Sequence, residues 1–491
     1  MKKYIKIISA LLVLSIALAG CGNRTSGDKD GTTEITWYMI KAFSDVKEAA
    51  QLEVEDAANK IIAKSLDAKV KFKLIDSASW EDKMKLMAAS GDPYDLVLTS
   101  NWTNKLSTNV DRGAFMPLDD LIEKYGKTIK AEVDERAWKA ATFDGKIMAV
   151  PSQGAYAPGS SFVFKKDLVE KYGFDYKNAH TLRDIEPYLE TIKQNEKGIT
   201  PLLATQNGTP GSGCDYLTSI GGGVAYDEKR QEVVLGSERD EYNENARIVH
   251  EFYKKGYIEK DAAIKKDFMS SAKSGKYAVL GNSGAYSEDG SKATSAYGYD
   301  CVESLISYQY ITTDNMIGAA TAISSTSKHP EKAMQLLDLV WSDDLLLNTM
   351  AYGIEGKNFD YVSGKGTDNP KVKVYSGSKQ VWGIWHNFLG PLWHQWDSDW
   401  NSKEALEEMQ KANSEAQTSG LLGFTFDITP VKSYYTQVSA LSNEARPIIQ
   451  TGSMQDFDAY IKEYNAKLKA AHVDDIKAEV IRQIEEWRKS N

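Results

Sequence analysis

The sequence predicts an α/β protein of two lobes with an α-rich C-terminal region, and three observations carry that prediction. Residues 34–100 alternate strand-like and helix-like hydrophobic spacing as β-α-β-α-β, the grammar of a parallel sheet flanked by helices. A breaker-rich stretch, Pro151 to Gly159, then separates this set from a second run of alternating elements over 165–310. Finally, 403–417, 431–446 and 454–489 all carry helical spacing.

The elements are justified in chain order. Glu34 to Ile40 (EITWYMI) starts the first strand, and Val46 to Leu66 has apolar residues at helical intervals. Val70, Phe72 and Leu74 alternate as a strand. Ser79 followed by Asp82 reads as a capping box, opening a helix that buries Trp80, Met84, Met87 and Ala88 and stops at Gly91. Leu96-Val97-Leu98 is a short buried strand. Gly113 to Leu118 leads into another helix, and Lys146 to Val150 is a strand. The Gly and Pro residues at 150–160 set a crossing between lobes, after which Ser161 to Phe164 resumes as strand. The second set has helices near 165–172, 182–194 and 243–255 and a strand at Tyr277–Leu280. Ala319 to Ile323 is apolar, and Pro330 opens a helix to Trp341, a position that suits its fixed φ and missing N–H.

The chain has 491 residues and a net charge of −10, with 42% hydrophobic residues. That is globular composition, and the acidic balance argues against nucleic-acid binding, which needs a basic stripe to neutralise phosphates. Lys2, Lys3 and Lys6 precede an apolar run, Ile7 to Ala19, too short to span a bilayer but suited to a signal-peptide core. The run ends Leu18-Ala19-Gly20-Cys21, which resembles a bacterial lipobox. That resemblance implies cleavage after residue 20 and acylation of Cys21, two acyl chains giving stable anchoring. Residues 21–33 lack hydrophobic side chains beyond the cysteine and read as a flexible tether. Cys214 and Cys301 can pair in an exported protein or remain buried free thiols.

Catalytic signatures are scarce. The chain has no GxSxG, Walker A, HExxH or CxxC motif, and its six histidines lack metal-ligand spacing, so neither a metal nor a cofactor is expected. Asp397-Ser398-Asp399 lacks the glycine and glutamate of a calcium loop. What stands out is aromatic residues at strand ends and in loops: Trp37, Trp102, Tyr156 and Tyr286, and five tryptophans between Trp382 and Trp400, including Trp385. Trp102 falls just past the carboxyl end of a strand, where open α/β sheets bind ligands. A sugar has an apolar C–H face that lies on such rings, while its hydroxyls seek Asp, Asn and backbone groups. Core packing is the competing role for each ring.

These pieces together resemble the extracellular solute-binding proteins of bacterial ABC importers, the family-1, carbohydrate-associated class. The resemblance rests on the lipobox, ITWYM at 35–39, MAASGDPYDLVLTSNW at 87–102, GAFMPLDDLI at 113–122 and AISSTSKHPEKAMQLLDLVW at 322–341. YGIEGKNFDY at 352–361, NFLGPLWHQWDSDW at 387–400 and GFTFDITPVKSYY at 423–435 look like a Gram-positive lipoprotein subgroup with an extra C-terminal region. The resemblance implies a periplasmic-binding-protein-like flytrap. Residues 34–150 with about 310–360 would form the first lobe, 151–309 the second, and 375–491 a helical region packing on the lobes. It implies a ligand cleft lined by Trp37, Lys41, Ser100, Asn101, Trp102, the hinge residue Tyr156, Asn282, Tyr286, Tyr352 and Glu355. It also implies a monomer, lipid-anchored on the extracytoplasmic face, that hands an oligosaccharide or similar polar solute to ABC permease subunits without turnover. A surface glycoside hydrolase and a ligand-presenting accessory lipoprotein of a membrane sensor kinase are the alternatives.

Overall fold

The computed structural model describes residues 31–41, 46–282 and 286–490. The expected leader, Cys21 and most of the expected tether lie outside the described residues. No helix among the described residues is long and apolar enough to cross a membrane.

The first sheet has the order Ala68–Ile75, Thr33–Ile40, Leu96–Thr99, Ala320–Ile323, Val150–Pro151. Its first three strands are parallel, and Ala320–Ile323 runs antiparallel to both its neighbours. The chain thus leaves this sheet after Pro151 and returns to it at Ala320. Helices Glu48–Ile62, Pro330–Ser342 and Asp344–Tyr352 share its core with Ile35, Trp37, Phe72, Leu96 and Leu98. Each such side chain taken fully from water contributes roughly 1.5–3 kcal/mol.

The second sheet has the order Cys301–Tyr308, Gly159–Lys165, Tyr277–Gly281, Thr200–Leu202. Its core gathers Phe162, Phe164, Tyr188 and Phe252, with Phe174 stacked on Tyr188 at 4.5 Å. The strand Cys301–Tyr308 pairs along the whole of Gly159–Lys165, yet no strand is expected there from sequence. Glu303 and Ser304, on opposite faces, are both buried polar residues, so the apolar alternation that announces a strand is broken.

The C-terminal region divides. Trp382, Ile384, Phe388 and Leu389 enter the first core. Tyr352 and Trp396 pack on the small sheet Phe359–Ser363, Lys371–Val374, Asp397–Ser398. So 375–400 is largely non-helical and belongs with the first lobe. Helices Lys432–Thr451, Phe457–Ala470 and Val473–Ser490 pack instead on the three-stranded sheet built from Leu217–Gly221, Val224–Asp227 and Glu232–Leu235, and on helix Asp240–Lys255.

Three local expectations need correction. The helix expected from Ser79 begins at Ser77, with Asp76 as its N-cap residue, and the Ser79 hydroxyl bonds back to the Asp76 carbonyl instead of capping. Lys146 to Val150 is divided between two short strands, Lys146–Ile147 and Val150–Pro151. The 454–489 stretch is two helices, broken at His472, whose φ of 65° is left-handed. Cys214 and Cys301 are both free thiols.

Candidate functional site

Two chain crossings join the sheets. Residues 152–158 lead from Val150–Pro151 to Gly159–Lys165, and 309–313 lead from Cys301–Tyr308 back toward Ala320–Ile323. The sheet edges beside these crossings therefore border the space between the lobes, and on the first sheet this is the carboxyl edge of its parallel strands, where ligands bind in open sheets.

On the first-lobe rim, the turn after Leu96–Thr99 presents Trp102, 54% exposed, with its indole N–H donating to the Gly318 carbonyl at 2.8 Å. That bond fixes the plane of the ring while leaving its face open. Asn101 is tied through its backbone N–H to the Ile317 carbonyl at 3.0 Å, and its Oδ1 is enclosed without a partner among the described residues. An acceptor left unpaired out of water is costly, which favours a donor arriving there. Trp385, the residue before the short helix His386–Leu389 of the first lobe, is 44% exposed, with its ring centroid 5.3 Å from that of Phe388. Lys41 directly follows the first strand and is ion-paired with Asp76 at 2.9 Å.

On the second-lobe rim, Asn282 donates to the Gly159 carbonyl. Gly159 is required by close approach, because a Cβ there would lie 2.9 Å from Tyr286 Cβ and 3.3 Å from Tyr308 Cε1. Tyr286 and Tyr308 thus flank the start of the strand, and Tyr308 donates to Glu408 at 3.1 Å. Burial, then Glu288, Glu408 and Glu303, push the Tyr286 phenol up to about 12. Asp215 accepts from Ser307, and burial raises its pKa. Beneath the rim, the buried Glu303 accepts from Ser161 at 2.6 Å and from Ser287 at 3.3 Å, and burial pushes its carboxyl up to about 7. Lys292 donates to Asn401 and to the Trp400 carbonyl, and burial brings its ammonium down to about 8.

Five sequence-expected residues are not on either rim. Trp37 has no exposed surface: strand alternation turns it into the first core with Ile35 and Met39, 6.3 Å from Phe72. Tyr352 is equally buried and donates to the Trp396 carbonyl and Ser398 Oγ, which anchors the small sheet. Tyr156 is buried in the hinge, its hydroxyl donating to the Ser152 carbonyl at 2.7 Å. Ser100 is buried and spends its hydroxyl on its own turn, accepting from the Thr103 N–H and donating to the Thr103 carbonyl, both at 2.9 Å. Glu355 sits beside the Phe359–Ser363 strand, paired with Lys365 at 2.6 Å. Conversely, sequence reading missed Tyr308, Glu408 and Asp215. The signal for Tyr308 lay in SYQY at 307–310, at the end of the unread strand.

No group of three or more His, Cys, Asp or Glu able to hold a metal occurs among the described residues. The site is built from ring faces, amides, phenols and carboxylates, a set suited to binding a polyhydroxylated solute.

The model of bacterial extracellular solute-binding proteins matches residues 45–345. This chain belongs to that family. A domain of unknown function (DUF3502) matches residues 420–489, the C-terminal helices. The solute-binding protein is 28% identical over 473 residues to a carbohydrate ABC transporter substrate-binding protein of Streptococcus pneumoniae serotype 4, covering 96% of this chain and 94% of the relative. It is 23% identical to lipoprotein LipO of Bacillus subtilis over 58% of this chain and 56% of that protein. Among solved structures, the N-glycan transport solute-binding protein NgtS of S. pneumoniae fits with a TM-score of 0.82 at 27% identity, over 93% of this chain and 99% of NgtS. The two-lobed architecture with a helical C-terminal region is common to both.

Proposed function

We propose that this solute-binding protein captures an oligosaccharide between its lobes and delivers it unaltered to the membrane subunits of an ABC importer. The observation that carries this reading is a spread in structural likeness to one relative. One NgtS structure fits with a TM-score of 0.82, while its complexes with Man1GlcNAc and Man5GlcNAc fit at 0.69 and 0.67. Coverage of this chain is 93% to 94% throughout, and we read the drop as a change of lobe arrangement in NgtS. A protein that adopts two lobe arrangements shifts toward the one its ligand binds better.

The rims supply the differential contacts. Trp102 and Trp385 offer ring faces to the C–H face of a sugar, and Asn101 Oδ1 accepts a hydroxyl. Asn282, Tyr286, Tyr308 and Glu408 offer hydroxyl partners from the other side, with Lys41 at the margin. Cys21 carries the acyl anchor, so the monomer works at the extracytoplasmic face beside its permease, where tethering raises the effective concentration.

The test is a thermal-shift titration of the purified protein with Man5GlcNAc, followed by analysis of the recovered glycan. Binding to the folded state alone adds about 2.7 kcal/mol at a hundredfold excess over Kd, and the glycan returns intact. Absence of a shift with any neutral oligosaccharide, or release of shorter products, overturns the reading.

A further inference from the structure

We propose that Asn413 is a positioning residue for lobe movement, its carboxamide setting the hinge. Asn413 lies in the last turn of helix Lys403–Glu415 and is buried. Its Oδ1 accepts from the backbone N–H groups of Tyr156, at 2.8 Å, and Ala157, at 3.2 Å, and its Nδ2 donates to the Gly154 carbonyl at 2.8 Å. One side chain thus takes three hydrogen bonds from the first crossing. The helix needs none of them, and asparagine is a mediocre helix former.

The segment that follows grips the second crossing. The Ile311 N–H donates to the Gln417 carbonyl, and the Ser419 N–H donates to the Ile311 carbonyl, both at 2.8 Å. Thr313 Oγ1 accepts from the Gly423 N–H at 2.8 Å and donates to the Leu421 carbonyl. The crossings also meet directly, Gln309 N–H to the Pro158 carbonyl at 3.3 Å. Residues 413–423 are therefore a third hinge segment, laid across the other two and carrying the chain from the first lobe to the C-terminal helices. Arg136 holds the first-lobe side, donating to the Asn413 carbonyl at 3.2 Å while forked onto Asp134.

A hinge turns through a few backbone dihedrals. The segment 154–157 carries those dihedrals, and Asn413 ties three of its polar groups to one rigid helix. Removing the carboxamide frees the segment and changes the open–closed balance without touching a rim residue.

The experiment measures interlobe distance by pulsed EPR, with spin labels at Leu86→Cys and Ile264→Cys in a Cys21→Ser, Cys214→Ser background. Leu86 is 62% exposed on the first lobe and Ile264 76% exposed on the second. Asn413→Ala is expected to broaden the distribution or move its mean by about 2 Å or more. Asn413→Asp keeps an acceptor for the Tyr156 and Ala157 N–H groups, loses the Gly154 bond, and gives an intermediate result; it also serves if the alanine variant does not fold. Lys411→Ala, exposed on the same helix, leaves the distribution unchanged. A folded Asn413→Ala whose distribution matches the parent overturns the proposal. The ligand arm rests on the oligosaccharide reading: affinity for Man5GlcNAc changes about tenfold in Asn413→Ala, as a tenfold shift in the lobe equilibrium requires. If Man5GlcNAc binds neither protein, the oligosaccharide reading suffers while the distance measurement still decides the hinge.

Discussion

The two rims of the cleft solve the same task with different chemistry. The first-lobe rim presents an indole face at Trp102 whose N–H edge is already occupied, and Lys41 there is ion-paired with Asp76. The second-lobe rim presents phenols and carboxylates, and the charged groups acting on both Tyr286 and Tyr308 are acidic. An apolar ring face rewards shape and burial, whereas a phenol or carboxylate rewards a hydroxyl at one point in space. A ligand must satisfy both to bridge the lobes, and a pyranose ring, with its C–H face and its equatorial hydroxyls, does so. Under the proposed reading each rim supplies only part of the contact, so closure would depend on a ligand that meets both.

Several substitutions break or sharpen this contrast. The largest effect belongs to a tryptophan that is on neither rim. Trp37→Ala leaves a cavity in the first core and is expected to cost about 3–5 kcal/mol of stability, measured by denaturant unfolding, a loss no rim substitution approaches. Glu303→Gln comes next. The folded-state pKa of Glu303, about 7, lies above its unfolded value. Its contribution to stability is therefore full below about pH 4.3 and lost as pH rises to the folded value. The variant should gain about 2–3 kcal/mol relative to the parent between acid and neutral pH, at roughly 1.4 kcal/mol per unit; a difference flat with pH would place that carboxyl in contact with solvent. Trp102→Ala should weaken oligosaccharide binding about tenfold, an aromatic contact contributing ~0.5–1.5 kcal/mol, with the unfolding midpoint unchanged. Unaltered affinity would remove the first rim from the site. Tyr308→Phe deletes only the hydroxyl held by Glu408 and is expected to cost about 1 kcal/mol of binding or less, read by calorimetry. An effect larger than that of Trp102→Ala would reverse the weighting of the two rims.

The legibility of the fold followed the strength of its periodic signals. Strand Thr33–Ile40 and helix Leu182–Asn195 were plain because one face of each is apolar and buried. Strand Cys301–Tyr308 was not, because it buries two polar residues, Glu303 against the Ser161 and Ser287 hydroxyls and Ser304 beside the His180 ring. The helix break at His472 depends on a single left-handed residue that is not glycine.

The same division runs through the site. The sequence alone determined a short apolar run behind three lysines, an α/β rhythm interrupted at Pro151 to Gly159, and an aromatic residue, Trp102, just past a strand end, because these depend on local composition and on periods of two and 3.6 residues. Only the tertiary structure decided which rings are open. Trp37 lies mid-strand and Trp102 just past the end of the neighbouring parallel strand, and one is sealed beside Phe72 while the other lies on a turn pinned to Gly318. Exposure is set by what packs on a residue from distant parts of the chain. The pairing of Tyr308 with Glu408, a hundred residues apart, exists only once the C-terminal segment has folded back across the hinge.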